Sequence, residues 1–145
     1  MSPTAVRKSV LLPYPDQAMF DLIERIEDYP SFLPWCSGAD VDRSAAPDIR
    51  ATLHISFKGL RQQFTTLNRH TPPGQVTMTL LDGPFTSLNG GWTIEALSPQ
   101  ACKVNFRLDY TMRSGLLGRA LAPIFGQIAG TFVDAFVKEA ARRHD

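Results

Sequence analysis

Two-residue alternation of apolar and polar side chains, followed by an abrupt change of period, is the feature that most limits how this chain can fold. From Asp48 to Phe57, Ile49, Ala51, Leu53, Ile55 and Phe57 share one parity and Asp48, Arg50, Thr52, His54 and Ser56 the other. That is the pattern of an antiparallel strand with one face in a core and one in water. Lys58-Gly59 suits a tight hairpin turn, and Leu60 to Arg69 returns as the partner strand. Thr71-Pro72-Pro73-Gly74 makes the next turn, and Val76, Met78 and Leu80 alternate again. Gly83-Pro84 breaks the pattern, Trp92, Ile94 and Ala96 mark a further strand, and Cys102, Val104, Phe106, Leu108, Tyr110 and Met112 give the clearest one. After Ser114-Gly115 the period lengthens to near 3.6. Leu117, Leu121, Ile124, Phe125, Ile128, Phe132, Phe136 and Ala140 then line one face of a long terminal helix.

Upstream, Val6, Val10 and Leu12 share a parity in a first strand that stops at Pro13. Met19, Phe20, Leu22, Ile23 and Ile26 form the apolar face of a helix begun by Pro15 and Asp16. Tyr29-Pro30-Ser31-Phe32-Leu33-Pro34-Trp35-Cys36 carries large apolar side chains but two prolines, so a bent segment is expected. Such a segment either covers the mouth of a cavity or plugs the core as a short helix. One strand, a helix pair, six consecutive strands and a long helix give an α+β class, an antiparallel sheet of about seven strands with helices on one side. A sheet that wide curls, and a helix laid in its concave face leaves a gap that side chains need not fill.

With 145 residues the chain has the size of a single domain, 1–145. Its net charge of +1 provides no global pull toward polyanions, and DNA binding is not expected. Cys36 and Cys102 lack CxxC spacing and read as reduced, half-buried thiols. The residues before Ser9 contain no apolar run of signal-peptide length, and Ala120 to Val133, fourteen residues without charge, falls short of a membrane span. The expected address is the cytoplasm, with at most a transient peripheral contact at the inner membrane. If the terminal helix ran unbroken it would reach roughly 40 Å, so Pro123 is a candidate kink. Gly126 and Gly130 suggest either close approach of a backbone or ligand, or plain helix-on-sheet packing.

No nucleophile with its base, paired carboxylates or metal-ligand spacing occurs as a local motif, so no catalytic or metal residue is expected. His54, His70 and His144 all read as solvated. Candidate ligand-binding positions are Phe57, Met78, Leu80, Trp92, Ile94, Phe106, Leu108 and Tyr110 on the sheet, and Ile124, Ile128 and Phe132 on the helix. Phe32, Leu33, Trp35 and Phe85 are candidates for the mouth, and Tyr110, Thr131 and Arg69 for polar contacts to a ligand head group. Ordinary core packing explains any one of the apolar positions equally well.

The element order, the Tyr29–Cys36 segment and Gly83-Pro84-Phe85-Thr86-Ser87-Leu88-Asn89-Gly90-Gly91-Trp92 together resemble the START-domain polyketide cyclase family. The closer likeness is to its coenzyme Q-binding branch, which also contains the bacterial ribosome-association toxin. The resemblance spans nearly the whole chain and implies a helix-grip (START, Bet v 1-like) fold with an apolar tunnel between sheet and terminal helix. It implies non-catalytic binding of a hydrophobic small molecule, a lipid or a polyisoprenoid quinone such as ubiquinone, in support of respiration or quinone biosynthesis, with no cofactor beyond that ligand. The runner-up that it implies is a toxin that binds the large ribosomal subunit and blocks subunit joining. Arg113, Arg119, Lys138, Arg142 and Arg143 would then offer positive charge to ribosomal RNA. A third reading, a cyclase or dehydratase that shapes its substrate within the cavity, needs no motif at all.

Overall fold

The computed structural model describes residues 2–144. The chain runs β1 (Thr4–Leu12), α1 (Asp16–Glu24), a 3₁₀ turn (Ile26–Ser31), β2 (Cys36–Asp42), β3 (Asp48–Phe57), β4 (Leu60–Thr71), β5 (Gln75–Asp82), β6 (Phe85–Ser98), β7 (Ala101–Met112) and α2 (Leu116–His144). All seven strands join one antiparallel sheet in the order β1-β7-β6-β5-β4-β3-β2, so only β1 and β7 pair across a long connection. The sheet is curved with α2 packed against it, the helix-grip arrangement of an α+β protein.

Registry follows from burial. Cys102, Val104, Phe106, Leu108, Tyr110 and Met112 of β7 are all buried, and slipping this strand by one residue would turn all six to solvent. The β3–β4 hairpin turns at Lys58 (φ 50°) and Gly59 (φ 82°), the paired left-handed geometry that closes a two-residue connection between Phe57 and Leu60.

β6 begins earlier than the sequence pattern suggested. Gly83-Pro84 is the break between β5 and β6, and the glycine-rich stretch before Trp92 already belongs to β6: Gly90 pairs with both Met78 and Leu108. A side chain at Gly90 would run into the Arg107 carbonyl oxygen and Leu108. Loss of a Cβ there lets the neighbouring β7 backbone approach closely.

The 3₁₀ turn takes in only Tyr29 to Ser31 of the expected bent segment, Phe32 to Trp35 lying between it and β2, and the buried Tyr29 hydroxyl fixes it by donating to the Ile23 carbonyl. Burial in an apolar setting pushes the Tyr29 pKa well above the usual phenol range.

α2 continues through Pro123 without a break. By length and composition it could cross a membrane, but its apolar face packs on the sheet through Leu121, Phe125, Ile128, Ala129, Val133, Phe136 and Ala140. That face is rotated from the expected one. Leu117 is exposed and Ile124 and Phe132 are half-buried, while Ala129 and Val133 take inner positions, because α2 is apolar on more than one side and the sheet selects which side is covered. Gly126 and Gly130 face outward with open space where a Cβ would stand, so neither a neighbouring backbone nor sheet packing requires them.

Candidate functional site

Between α2 and the inner face of the sheet lies a cavity of about 60 Å³. Of the candidate ligand positions, Trp35, Met78, Trp92, Phe106, Leu108, Ile128 and Phe132 line it. Phe85 and Ile124 instead border a smaller void of about 10 Å³ nearer the start of α2. Leu33, Ile94 and Tyr110 are core residues that line neither, and Phe57 and Leu80 are half-buried and line neither. Phe32 joins Trp35 in an outer groove against Thr131, Asp134 and Lys138 of α2.

Two mouth assignments are therefore corrected. Leu33 and Phe85 are each only 1% exposed, Phe85 being enclosed by Phe64, Tyr110 and Phe125. The polar candidates are corrected too. Arg69 points outward and pairs with Asp48 at 2.8 Å, because its parity on β4 is the solvent one. Thr131 is exposed, its hydroxyl donating to the Gln127 carbonyl, and the Tyr110 ring packs on Phe85 and Phe125 away from the cavity.

The polar groups that do line the cavity come from β4. Thr66, Asn68 and His70 face inward beside Phe64, whereas Leu67 turns outward. The Thr66 hydroxyl donates to Asn68 Oδ1 at 2.7 Å. His70, expected to be solvated, is 8% exposed, and neither ring nitrogen has a hydrogen-bond partner. Its Nδ1 stands 3.8 Å from Glu24 Oε1, beyond hydrogen-bond range, and Phe20 packs edge-on against the ring. Glu24 is held in turn by Arg43 Nη1 at 2.6 Å, and Arg43 also binds Glu27 at 2.8 Å. Hydrogen bonding from Arg43 lowers the Glu27 pKa, and the same contact raises that of Arg43. Burial, the largest influence, holds the His70 pKa below its ordinary value despite the nearby Glu24 carboxylate.

A signal for this stripe was present in the sequence. The Lys58-Gly59 turn sets Leu53 opposite Phe64, Ala51 opposite Thr66 and Ile49 opposite Asn68. Directly paired residues share a sheet face, so once Ile49, Ala51 and Leu53 are inside, Thr66 and Asn68 must be as well, and His70 follows by parity.

The other histidines are at the surface or partly so: His54 contacts Asp40 at 2.7 Å, and His144 stacks near Tyr14. Cys36 and Cys102 are free thiols, more deeply buried than expected, and burial raises both pKa values. Among the described residues no group of three or more His, Cys, Asp or Glu stands close enough to share a metal.

Residues 12–137 match the family model for polyketide cyclase / dehydrase and lipid transport. The chain belongs to that family. Within the polyketide cyclase / dehydrase and lipid transport family it is 42% identical over 137 residues to "Ribosome association toxin RatA" of Pseudomonas aeruginosa, covering 94% of this chain and 95% of the relative. It is 28% identical over 146 residues to "Coenzyme Q-binding protein coq10, mitochondrial" of Schizosaccharomyces pombe, covering 95% and 87%. Among solved structures, the Zhui aromatase/cyclase of Streptomyces sp. R1128 superposes with a TM-score of 0.82 at 15% identity, over 99% of this chain and 97% of that one. At that identity the likeness concerns the fold alone.

Proposed function

We propose that the protein engages the large ribosomal subunit and interferes with subunit joining, a reading supported by the ribosome association that the name of its Pseudomonas aeruginosa relative indicates. The identity of 42% along almost the full length of both chains carries this reading. Charge on α2 supports it in part. Arg119 and Lys138 are exposed and have no ion pair among the described residues, whereas Arg142 and Arg143 are drawn to Glu139. A contact made by so few free cations should weaken with salt only modestly. Ribosomes also place such activity in the cytoplasm. Sedimentation of lysates after overexpression tests it: free subunits should rise at the expense of assembled ribosomes. An unchanged profile overturns it.

A second reading is favoured by the cavity itself, which is walled mostly by aromatic and aliphatic side chains. Here the protein holds a hydrophobic guest of lipid or quinone type without transforming it. Burying apolar ligand surface contributes about 25 cal/mol per Å², so few polar contacts are needed. At about 60 Å³ the cavity is smaller than the ~150 Å³ apolar cavities that admit benzene. A ring needs more room than this, and Phe132, half-buried on the α2 wall, is a side chain whose swing would provide it. Phe132→Ala should increase the yield of hydrophobic molecules, ubiquinone included, in solvent extracts of the purified protein. Extracts free of any such molecule from both forms, with no uptake of added ubiquinone, would sink this reading.

A further inference from the structure

β4 places Thr66, Asn68 and His70 on its inward face and an apolar Leu67 on its outward one, the reverse of what core packing favours. An imidazole that is 92% removed from solvent with neither nitrogen bonded is costly unless something completes it. The hydrogen-bonding sense of the site is fixed by its neighbours. The Glu24 carboxylate faces Nδ1, and a lone pair there would be repelled, so the proton sits on Nδ1 and Nε2 is left as an acceptor. Asn68 accepts from Thr66 through Oδ1, which leaves its amide N–H groups as the donors of the stripe. The cavity lining thus carries an acceptor on His70 and the amide donors of Asn68 within an apolar, aromatic-walled space.

We propose that Asn68 and His70 form a recognition site for an aromatic hydroxyl, so that among hydrophobic guests this cavity prefers a neutral phenol-type molecule. The hydroxyl donates to His70 Nε2 and accepts from Asn68, while the ring lies against the apolar wall. A ring bearing only carbonyl or ether oxygens has no proton for Nε2 and leaves it unpaired. Arg43 takes part at one remove, holding the Glu24 carboxylate that sets the tautomer.

This assignment rests on the reading that the cavity accepts a guest, and the test separates the two. p-Cresol, 4-methylanisole and toluene are titrated into the full chain and into the roomier Phe132→Ala form, with binding followed by amide chemical shifts. p-Cresol should bind at least about tenfold more tightly than the other two, the difference expected when a buried polar group is left unpaired. His70→Leu should bring the three affinities together by weakening p-cresol alone. Nitrogen shifts of the His70 ring in the unsubstituted protein, which need no variant to fold, should report Nδ1–H and move at Nε2 when p-cresol is added. Equal affinities, or a preference that survives His70→Leu, overturn the hydroxyl site while leaving a guest-binding cavity intact. Binding of none of the three to either form overturns both.

Discussion

Arg143 Nη2 lies 3.6 Å from Asp28 Oδ2, joining the last turn of α2 to the 3₁₀ turn that follows α1. The same guanidinium donates through Nε to Glu139 at 2.7 Å and stands over the Phe32 ring. Elements from opposite ends of the chain are thereby tied together beside the outer groove. Two of the cations expected to face a polyanion are thus partly occupied within the protein.

Glu139 is 5% exposed and ionised in this cluster, with its pKa lowered to about 2 chiefly by Arg142, and further by Arg143. A carboxylate whose folded value lies below its ordinary 4.5 contributes stability that is full above pH 4.5 and disappears as pH falls toward 2. Urea unfolding between those limits should show the loss, and Glu139→Gln should flatten the curve there. A variant as acid-sensitive as the parent would place the titration elsewhere.

His70 acts over a different range. Because burial disfavours its charged form, the unfolded chain takes up a proton before the folded one does, so stability falls as pH drops below about 6.5. The facing charges, Glu24 and Glu27 against Arg43, moderate this without reversing it. His70→Leu should remove that slope, as measured by unfolding midpoints between pH 5 and 7 (a range chosen about the ordinary imidazole value).

Gly90→Ala is expected to destabilise the protein by about 3 kcal/mol, since the added methyl meets the Arg107 carbonyl and Leu108 in mid-sheet. Denaturant melts will show it. A near-neutral result would mean that β7 can withdraw from β6 at this point.

Gly126 and Gly130 predict the opposite sign. Each sits inside α2 with open space around its missing side chain, so replacement by alanine should stabilise by about 1 kcal/mol per site. In a chain of this size that corresponds to about 2–4 °C in Tm for each site. If the double variant melts higher yet no longer shifts ribosome profiles, the outer face of α2 makes the contact.

Much of the scaffold could be read from alternation alone. The bounds of β3, the Lys58-Gly59 turn and the buried parity of β7 all follow from side chains whose burial dominates their placement. β6 was read too short because Gly90 and Gly91 carry no side chain to mark parity, and their role comes from backbones that only the folded sheet brings close. His70 was misplaced for another reason. Its neighbours Pro72 and Pro73 signal a turn, and a polar residue next to a turn is usually wet, but the hairpin pairing outweighs that local cue. The cavity wall was half legible. Large apolar residues announce a core, yet whether Phe132 lines a void while Tyr110 fills one depends on the rotation of α2 against the sheet.

The inverted polarity of β4 has a consequence for anyone redesigning the protein. Replacing His70 with leucine should give a tougher, drier interior, because a buried imidazole with neither nitrogen bonded would vanish from it, whereas Asn68 must stay to accept from the Thr66 hydroxyl. On the proposal that the cavity takes a phenol-type guest, such a hardened scaffold loses its means of telling one oily molecule from another. Thermostability screens run without a guest present would tend to favour that replacement.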